Sequence, residues 1–314
     1  MKPRITIGIP CFNEEENVLR AYRVTKEIVK KLKKWEFDFL FVDNGSNDKT
    51  REKIKILVKK DKKARAVFLS RNFGPEASGM AVMDYTKAAT LIIVHCDLQD
   101  PPQLIPKFIK KWQEGYDIVS GQYTKTEDSM MMALLRRAFY RLFKAISNID
   151  VPINVTAFGL YDKKAIEALK SLPEKYRFGR GLTAWIGFKR AFVPYERTKR
   201  IKGKSSYNFF DYLKHSERGI FGFSYLPLDL IVYLGFILTI LSFIFMIGYL
   251  AIVFIFGNPL KASITLMLAV VFFGGINLMA LSILGKYIQV IAEETKARPV
   301  YIVEEKVNFK EDEK

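Results

Sequence analysis

The chain has 314 residues, with 50 Lys and Arg against 33 Asp and Glu, a formal charge of +17. It is 49% apolar and 26% charged at a mean hydropathy of +0.04, figures that fit together only if the two kinds of residue are segregated. A disordered chain, a disulfide scaffold and an ordinary soluble globule are all excluded.

The segregation is sharp. Residues 1–227 hold 43 bases and 25 acids, residues 228–285 only Asp229 and Lys261, and residues 286–314 six bases and seven acids. This predicts a basic soluble domain over residues 1–225, two membrane helices within 226–288, and a tail over 289–314. Cys11 and Cys96 fall at strand ends of that domain, where free thiols are expected, and with only two histidines a zinc site is not.

In chain order, β-rich runs are predicted at Arg4–Ile9, Phe37–Val42, Ala66–Ser70, Thr90–Cys96 and Asp117–Ser120. Helical stretches at Glu14–Lys34, Asp48–Lys60, Pro75–Lys87 and Pro101–Glu114 separate them. The alternation reads as α/β, a mostly parallel sheet with helices on both faces. No leader is expected ahead of the first strand, which Arg4 enters directly. In such sheets ligands bind at the carboxyl ends of the strands. That rule selects the loops Pro10–Glu16, Asp43–Thr50, Ser70–Glu76 and His95–Pro102. Neither a Walker A nor a G-x-G-x-x-G pattern occurs in the chain.

Those loops hold unusual chemistry. Asn13 reads either as an N-cap with Glu16 as its partner or as a ligand residue. Asp48 suits an N-cap, whereas Asp43, at the end of its strand, is placed to accept hydrogen bonds from a base or ribose. Asp97-Leu98-Gln99-Asp100 puts oxygen donors at a strand end, a pattern suited to Mg²⁺ or Mn²⁺ shared with a diphosphate.

Between Met130 and Ser147, Arg136, Arg137, Arg141 and Lys144 fall within about 140° of one helix face, opposite an apolar stripe. The stripe fits either a surface helix packed on the sheet or an interfacial helix presenting cations to a headgroup phosphate. Two interfacial helices are expected, at about 129–148 and 207–225. The runs Leu230–Phe256 and Ala262–Gly285 then each exceed the roughly 20 apolar residues needed to cross a bilayer. Lys214, Arg218, Lys286, Lys296 and Arg298 flank these spans and only Lys261 joins them. The positive-inside rule puts the large domain and both termini on the cytoplasmic side of a cell membrane. A paired-helix anchor also leaves room for a homo-oligomer.

The motifs PCFNEEENV, VDNGSNDKT, LSRNFGPEA and HCDLQDPP resemble, in order and spacing, the family 2 glycosyltransferases with the GT-A fold. The stretch from Leu172 to His215, followed by two spans, resembles the polyprenyl-phosphate glycosyltransferases, relatives of dolichol-phosphate mannose synthase. The resemblance implies a GT-A domain with a C-terminal two-helix transmembrane hairpin. It also implies inverting transfer of one sugar from a UDP- or GDP-sugar to a polyprenyl or dolichyl phosphate at the cytoplasmic membrane face. Donor binding would fall to Pro10, Phe12, Asn13, Glu14, Asp43, Gly45 and Arg71, and a divalent metal (Mg²⁺ or Mn²⁺) to His95, Asp97 and Gln99. The lipid phosphate would meet Arg136, Arg137, Arg141, Arg197, Arg200, Lys204 and Ser205, with Asp97 and Arg200 as the catalytic pair.

Several positions depart from the family pattern: Asn44 replaces an acid, His95 an acid, Gln122 an arginine, Ala157 an acid, Gly159 an arginine and Ser206 a lysine. Two readings follow. One is a transferase with shifted donor or metal preference, in which the imidazole of His95 favours Mn²⁺. The other is a chain that keeps fold and anchor as a membrane-bound partner or a lipid or nucleotide binder. The chemistry tolerates the loss of an acid at position 157, because a phosphate monoester with a second pKa of ~6 is already mostly dianionic at neutral pH. Nucleic acid is not an expected partner, since no RRM, KH or helix-turn-helix pattern occurs and runs such as Lys30–Lys34 and Lys59–Lys63 suit solvated helix faces.

Overall fold

The structure is a computed structural model that describes residues 2–125, 141, 149–175, 177–198, 217, 219–257 and 263–309. Its centre is an eight-stranded sheet. The strands are β1 (Arg4–Cys11), β2 (Glu36–Asp43), β3 (Ala64–Leu69), β4 (Thr90–Ile93), β5 (Ile118–Lys125), β6 (Val155–Asp162), β7 (Arg190–Glu196) and β8 (Val303–Val307). They lie in the order β7-β5-β6-β4-β1-β2-β3-β8. The pairs β1–β2, β1–β4, β2–β3 and β5–β7 are parallel. The antiparallel pairs are β4–β6, β5–β6 and β3–β8.

The helices of the domain are α1 (Val18–Lys30), α2 (Thr50–Lys60), α3 (Pro75–Asp84), α4 (Ile105–Gln113), α5 (Lys163–Ser171) and α6 (Gly179–Trp185). Period-2 alternation sends side chains to both sheet faces, and each face has its own core. Ile5, Ile7, Ile9, Phe39, Phe41 and Phe68 pack with Val18, Ile54 and Phe108 of α1, α2 and α4. Leu40, Val42, Val67, Leu69, Leu91 and Ile93 pack with Val82, Ile166 and Leu182 of α3, α5 and α6. Both faces are therefore buried, which is why the central strands read as near-continuous apolar runs.

All five predicted strands form, with ends shifted by at most five residues. Helix α1 starts four residues later than expected, because residues 15–17 form a turn. The segment expected to trail away as a tail supplies β8, which closes the free edge of β3 with Ala66 opposite Val307. An unpaired edge exposes a row of backbone donors and acceptors, and β8 satisfies them. Asn308 locks the end of this strand by donating from Nδ2 to the carbonyls of Val58 (2.6 Å) and Ala64 (2.8 Å).

Two further helices, α7 (Leu226–Phe256) and α8 (Ser263–Thr295), are long and apolar enough to cross a membrane. Neither candidate span has buried residues in its apolar window, so a buried soluble-core reading does not describe them. A helix apolar all round and unburied by protein suits a lipid environment. The foot of the pair is tied to the domain. Tyr287 donates its hydroxyl to Ser224 O at 2.8 Å, and Glu294 accepts the Lys175 N–H through both carboxylate oxygens.

At the opposite end of the sheet, Asp61 accepts from Lys26 Nζ at 2.6 Å and from the Tyr22 hydroxyl. Burial pushes the Asp61 carboxyl up, but these hydrogen bonds outweigh it and hold the pKa at about 2, below the ordinary 3.8. A depressed carboxylate stabilises the fold above its unfolded pKa and ceases to do so as pH falls through the folded value. At neutral pH the Asp61→Asn variant is expected to be about 1–2 kcal/mol less stable, discounted for partial exposure of Lys26. Denaturant unfolding at pH 6 and at pH 2 checks this: the gap between the two proteins should close at the lower pH.

Candidate active site

The parallel strands β1, β2 and β4 end on one side of the sheet, and the chain reverses its winding direction between β1 and β4. That is the switch point at which doubly wound sheets bind ligands. The register puts Cys11 opposite Asp43, and Val94 N bonds Gly8 O just before the His95 loop. Three of the four selected loops are fastened to one another here.

Five hydrogen bonds from backbone N–H groups to side chains join the first and second loops. Asn13 N donates to Ser46 Oγ (2.9 Å), Asn47 N to Asn13 Oδ1 (2.9 Å) and Glu14 N to Thr50 Oγ1 (2.8 Å). Glu15 N donates to Asp48 Oδ2 (3.0 Å), and Lys49 N to Glu15 Oε2 (3.1 Å). Asn13 therefore does not cap a helix. It sits at φ 54 and braces the second loop, while the position before α1 belongs to Asn17. Glu14 is buried and accepts from Asn17 Nδ2 at 2.6 Å, which gives it a fastening role in the loop. Pro10 and Phe12 are half-buried beside it. Asp48 stands one residue before the N-cap position, which is Lys49, and accepts from Thr50 N at 2.9 Å.

Asn44 explains its own departure from the family pattern. Its Nδ2 donates to Asn72 Oδ1 and to Gly74 O, both at 3.0 Å, and its Oδ1 accepts from Phe73 N at 3.0 Å. A carboxylate could not make the two donated bonds, so the amide ties the second loop to the third. Gly45 has φ +69, and a Cβ there would stand 2.3 Å from the Arg71 carbonyl carbon. Only glycine allows that approach. Arg71 itself is exposed and lies over the Phe73 ring at 4.1 Å.

Asp43 is fully buried. Its Oδ2 accepts from Ser46 N at 3.3 Å and faces Arg51 Nε at 3.5 Å, while Oδ1 has no hydrogen-bond partner. Burial pushes the Asp43 carboxyl above the usual range against the opposing pull of Ser46 and Arg51. A buried acceptor left open at a strand end asks for a donor from outside the chain.

The fourth loop is organised by Asp100, grouped above with the metal-suited oxygen donors but turned here to protein partners. Asp100, 0% exposed, takes His95 Nδ1 on Oδ2 at 2.5 Å, and on Oδ1 the Tyr195 hydroxyl together with an ion pair to Arg197 Nε at 3.2 Å. Burial disfavours charge on both His95 and Asp100. Their mutual hydrogen bond prevails, raising the His95 pKa and lowering that of Asp100. Thr198 N bonds Gln99 O at 3.2 Å, and Gln99 Nε2 reaches Thr198 O at 3.4 Å. The loop after β4 is thus joined to the end of β7, and Arg197 comes beside the loop expected to hold the metal. The signal was present in the Asp100-Pro101-Pro102 run, but its partners lie 95 and 97 positions away.

Asp97 is half-buried and accepts from Gln99 N at 3.2 Å through Oδ1. Among the described residues no group of three or more His, Cys, Asp or Glu could by itself hold a metal ion. With Nδ1 of His95 turned to Asp100, the protein donors are the Asp97 carboxylate, the second His95 nitrogen and the Gln99 amide oxygen. Such a mixed, incomplete set fits a metal that takes its remaining ligands from a diphosphate, and the imidazole–carboxylate contact is the usual way of orienting a ligating histidine.

Across the sheet, Ala157 is exposed on β6. A Cβ at Gly159 would meet Val119 O at 2.4 Å, so the arginine of the family pattern is replaced where β5 and β6 close together. Gln122 donates to Ile153 O at 3.0 Å, holding β5 against the segment before β6. Arg141 is helical and exposed. Arg136, Arg137, Arg200, Lys204 and Ser205 lie outside the described residues, as do all of the first expected interfacial helix but Arg141 and residues 207–216 and 218 of the second. Residues 217 and 219–223 of the second are helical. Cys11 and Cys96 are free and buried, as expected.

Residues 6–170 match the family model described as glycosyl transferase family 2. The chain is 33% identical over 301 residues to a bactoprenol glucosyl transferase of Shigella phage SfX, covering 96% of this chain and 98% of that protein. It is 34% identical over 304 residues to an uncharacterized glycosyltransferase of Synechocystis sp., covering 96% and 95%. Among solved structures, a Pyrobaculum calidifontis mannosyltransferase in complex with GDP-Man and Mn²⁺ aligns with a TM-score of 0.43 at 13% identity, over 95% of this chain and 89% of that one.

Proposed function

Because the chain belongs to glycosyl transferase family 2, we propose that it transfers a single sugar from a UDP- or GDP-sugar to a polyprenyl phosphate, with inversion, at the cytoplasmic face of a membrane. The observation that carries this reading is the full-length similarity to bactoprenol glucosyl transferases, which spans the membrane helices as well as the catalytic domain. The open Asp43 Oδ1 at the switch point supports a nucleotide there.

In this reading Asp43 accepts from the base or ribose of the donor, and the fastened first and second loops shape its pocket. Asp97, His95 and Gln99 would hold a divalent metal, Mg²⁺ or Mn²⁺, that neutralises charge on the departing diphosphate. The acceptor phosphate needs no strong base, being dianionic already. What it needs is cations against the repulsion of a second anion. Arg197 stands at the end of β7 with Nε on Asp100, which leaves its terminal nitrogens for a phosphate. Arg141, Arg200, Lys204 and the remaining basic residues of the acceptor segments would complete that task, with Arg200 at the reacting phosphate. In-line attack from the side opposite the diphosphate then inverts the anomeric carbon.

Purified full-length protein, supplied with labelled UDP- or GDP-sugars, polyprenyl phosphate and Mg²⁺ or Mn²⁺, is expected to form a lipid-linked sugar. No product with any donor from a folded protein would sink this reading in favour of a binding role.

A further inference from the structure

The strand that follows the membrane helices reaches the donor loop through one arginine. Arg51 Nη2 donates to Glu304 Oε2 at 2.8 Å and to Leu69 O at 3.1 Å. The guanidinium lies over the Phe68 ring, with Cζ 5.1 Å from its centroid. Its Nε stands 3.5 Å from Asp43 Oδ2 without forming a hydrogen bond. Glu304, Leu69 and Phe68 therefore hold Arg51 within ion-pair distance of Asp43 but short of the forked pair that an arginine and a carboxylate adopt when free to do so. With Arg51 in that position, Asp43 Oδ1 has no hydrogen-bond partner.

We infer that Glu304 is a positioning residue for donor binding: it draws Arg51 away from Asp43, so that one carboxylate oxygen stays available to an N–H or O–H of the nucleotide. The inference rests on the reading of Asp43 as a donor-binding group. Without Glu304, the carboxylate left beside Arg51 is Asp43, and the guanidinium closes onto it and competes with the donor. Because α8 ends at Thr295, seven residues before β8 begins, the same strand connects the membrane anchor to the nucleotide pocket. A control is built into the strand. Glu305, next to Glu304, pairs with Lys55 Nζ at 2.5 Å, and Lys55 also lies over Phe68, 5.3 Å from its centroid. The two pairs join the same elements with the same charges, yet only one includes the neighbour of Asp43.

Full-length protein in nanodiscs, titrated with UDP and with GDP by calorimetry, tests the inference. E304Q is expected to weaken binding of whichever nucleotide the unaltered chain prefers by about tenfold. The donor KM should rise in step while kcat at saturating donor stays within about twofold. E304D, which keeps the charge, should recover most of the affinity, and E305Q should bind like the unaltered chain. Equal weakening in E304Q and E305Q would reduce β8 to an edge strand and overturn the inference, as would unchanged affinity in E304Q. If the unaltered chain binds neither nucleotide, the donor reading of Asp43 falls first and takes this inference with it.

Discussion

Replacing Asp97 with alanine is expected to lower sugar transfer by at least about 10³-fold while moving the thermal midpoint by no more than about 3 °C. The expected structural loss is small because the Asp97 side chain is half-buried at a strand end, where its contacts include the bond from Gln99 N at 3.2 Å that closes a short turn. A bond of that kind contributes about 1 kcal/mol. The expected catalytic loss is large because Asp97 would supply the one carboxylate to the proposed metal at the end of β4. Chelation should produce the same loss in the unaltered enzyme and no further loss in the variant. Transfer assays across Mg²⁺ and Mn²⁺ concentrations measure this, and unaltered metal dependence in the variant would remove Asp97 from the site.

Asp100→Ala has the opposite signature, with stability falling along with activity. Removing a fully buried carboxylate leaves the His95 imidazole and the Arg197 guanidinium without their shared acceptor, and Tyr195 without its partner. Breaking a buried charged cluster from one side costs about 3 kcal/mol. In a domain of this size that corresponds to a midpoint about 10 °C lower. The link between the β4 loop and the end of β7 loosens at the same time, so affinity for acceptor and for donor should fall together. Thermal unfolding and separate titrations with nucleotide and with polyprenyl phosphate check both parts. A midpoint within 2 °C of the unaltered protein would show that solvent reaches the cluster and that Asp100 is not its hub.

Much of the site was legible because its parts are local. Asp43 and Asp97 stand at the ends of apolar runs, and the rule that ligands gather at strand ends selected both loops from strand prediction alone. Glu14 and Asn13 show the opposite case. Asn13 reads as a cap or a ligand and Glu14 as a ligand, and only the partners Ser46, Asn47 and Asn17 show that both also brace the loops. Asn44 looked like a lost acid until Asn72, Phe73 and Gly74 came within bonding distance. Arg51 and Tyr195 carry no local signature at all, since each acquires its role from a residue on another strand or loop.

The sequence by itself determined the central α/β layers, the two membrane-length helices and the family, because each rests on periodicity, run length or motif spacing within short stretches of chain. Tertiary structure decided the rest. Val303-Glu304-Glu305-Lys306-Val307 has three charges in five residues and no strand pattern of its own. It becomes β8 because β3 offers an open edge. Asp100 becomes a hub because β7 pairs with β5 and returns Tyr195 and Arg197 to it. Buried charge must find partners wherever the fold brings them, and those partners lie 95 residues from Asp100 and 253 residues from Arg51. At such separations only the folded chain, and not the spacing of residues along it, records which groups meet.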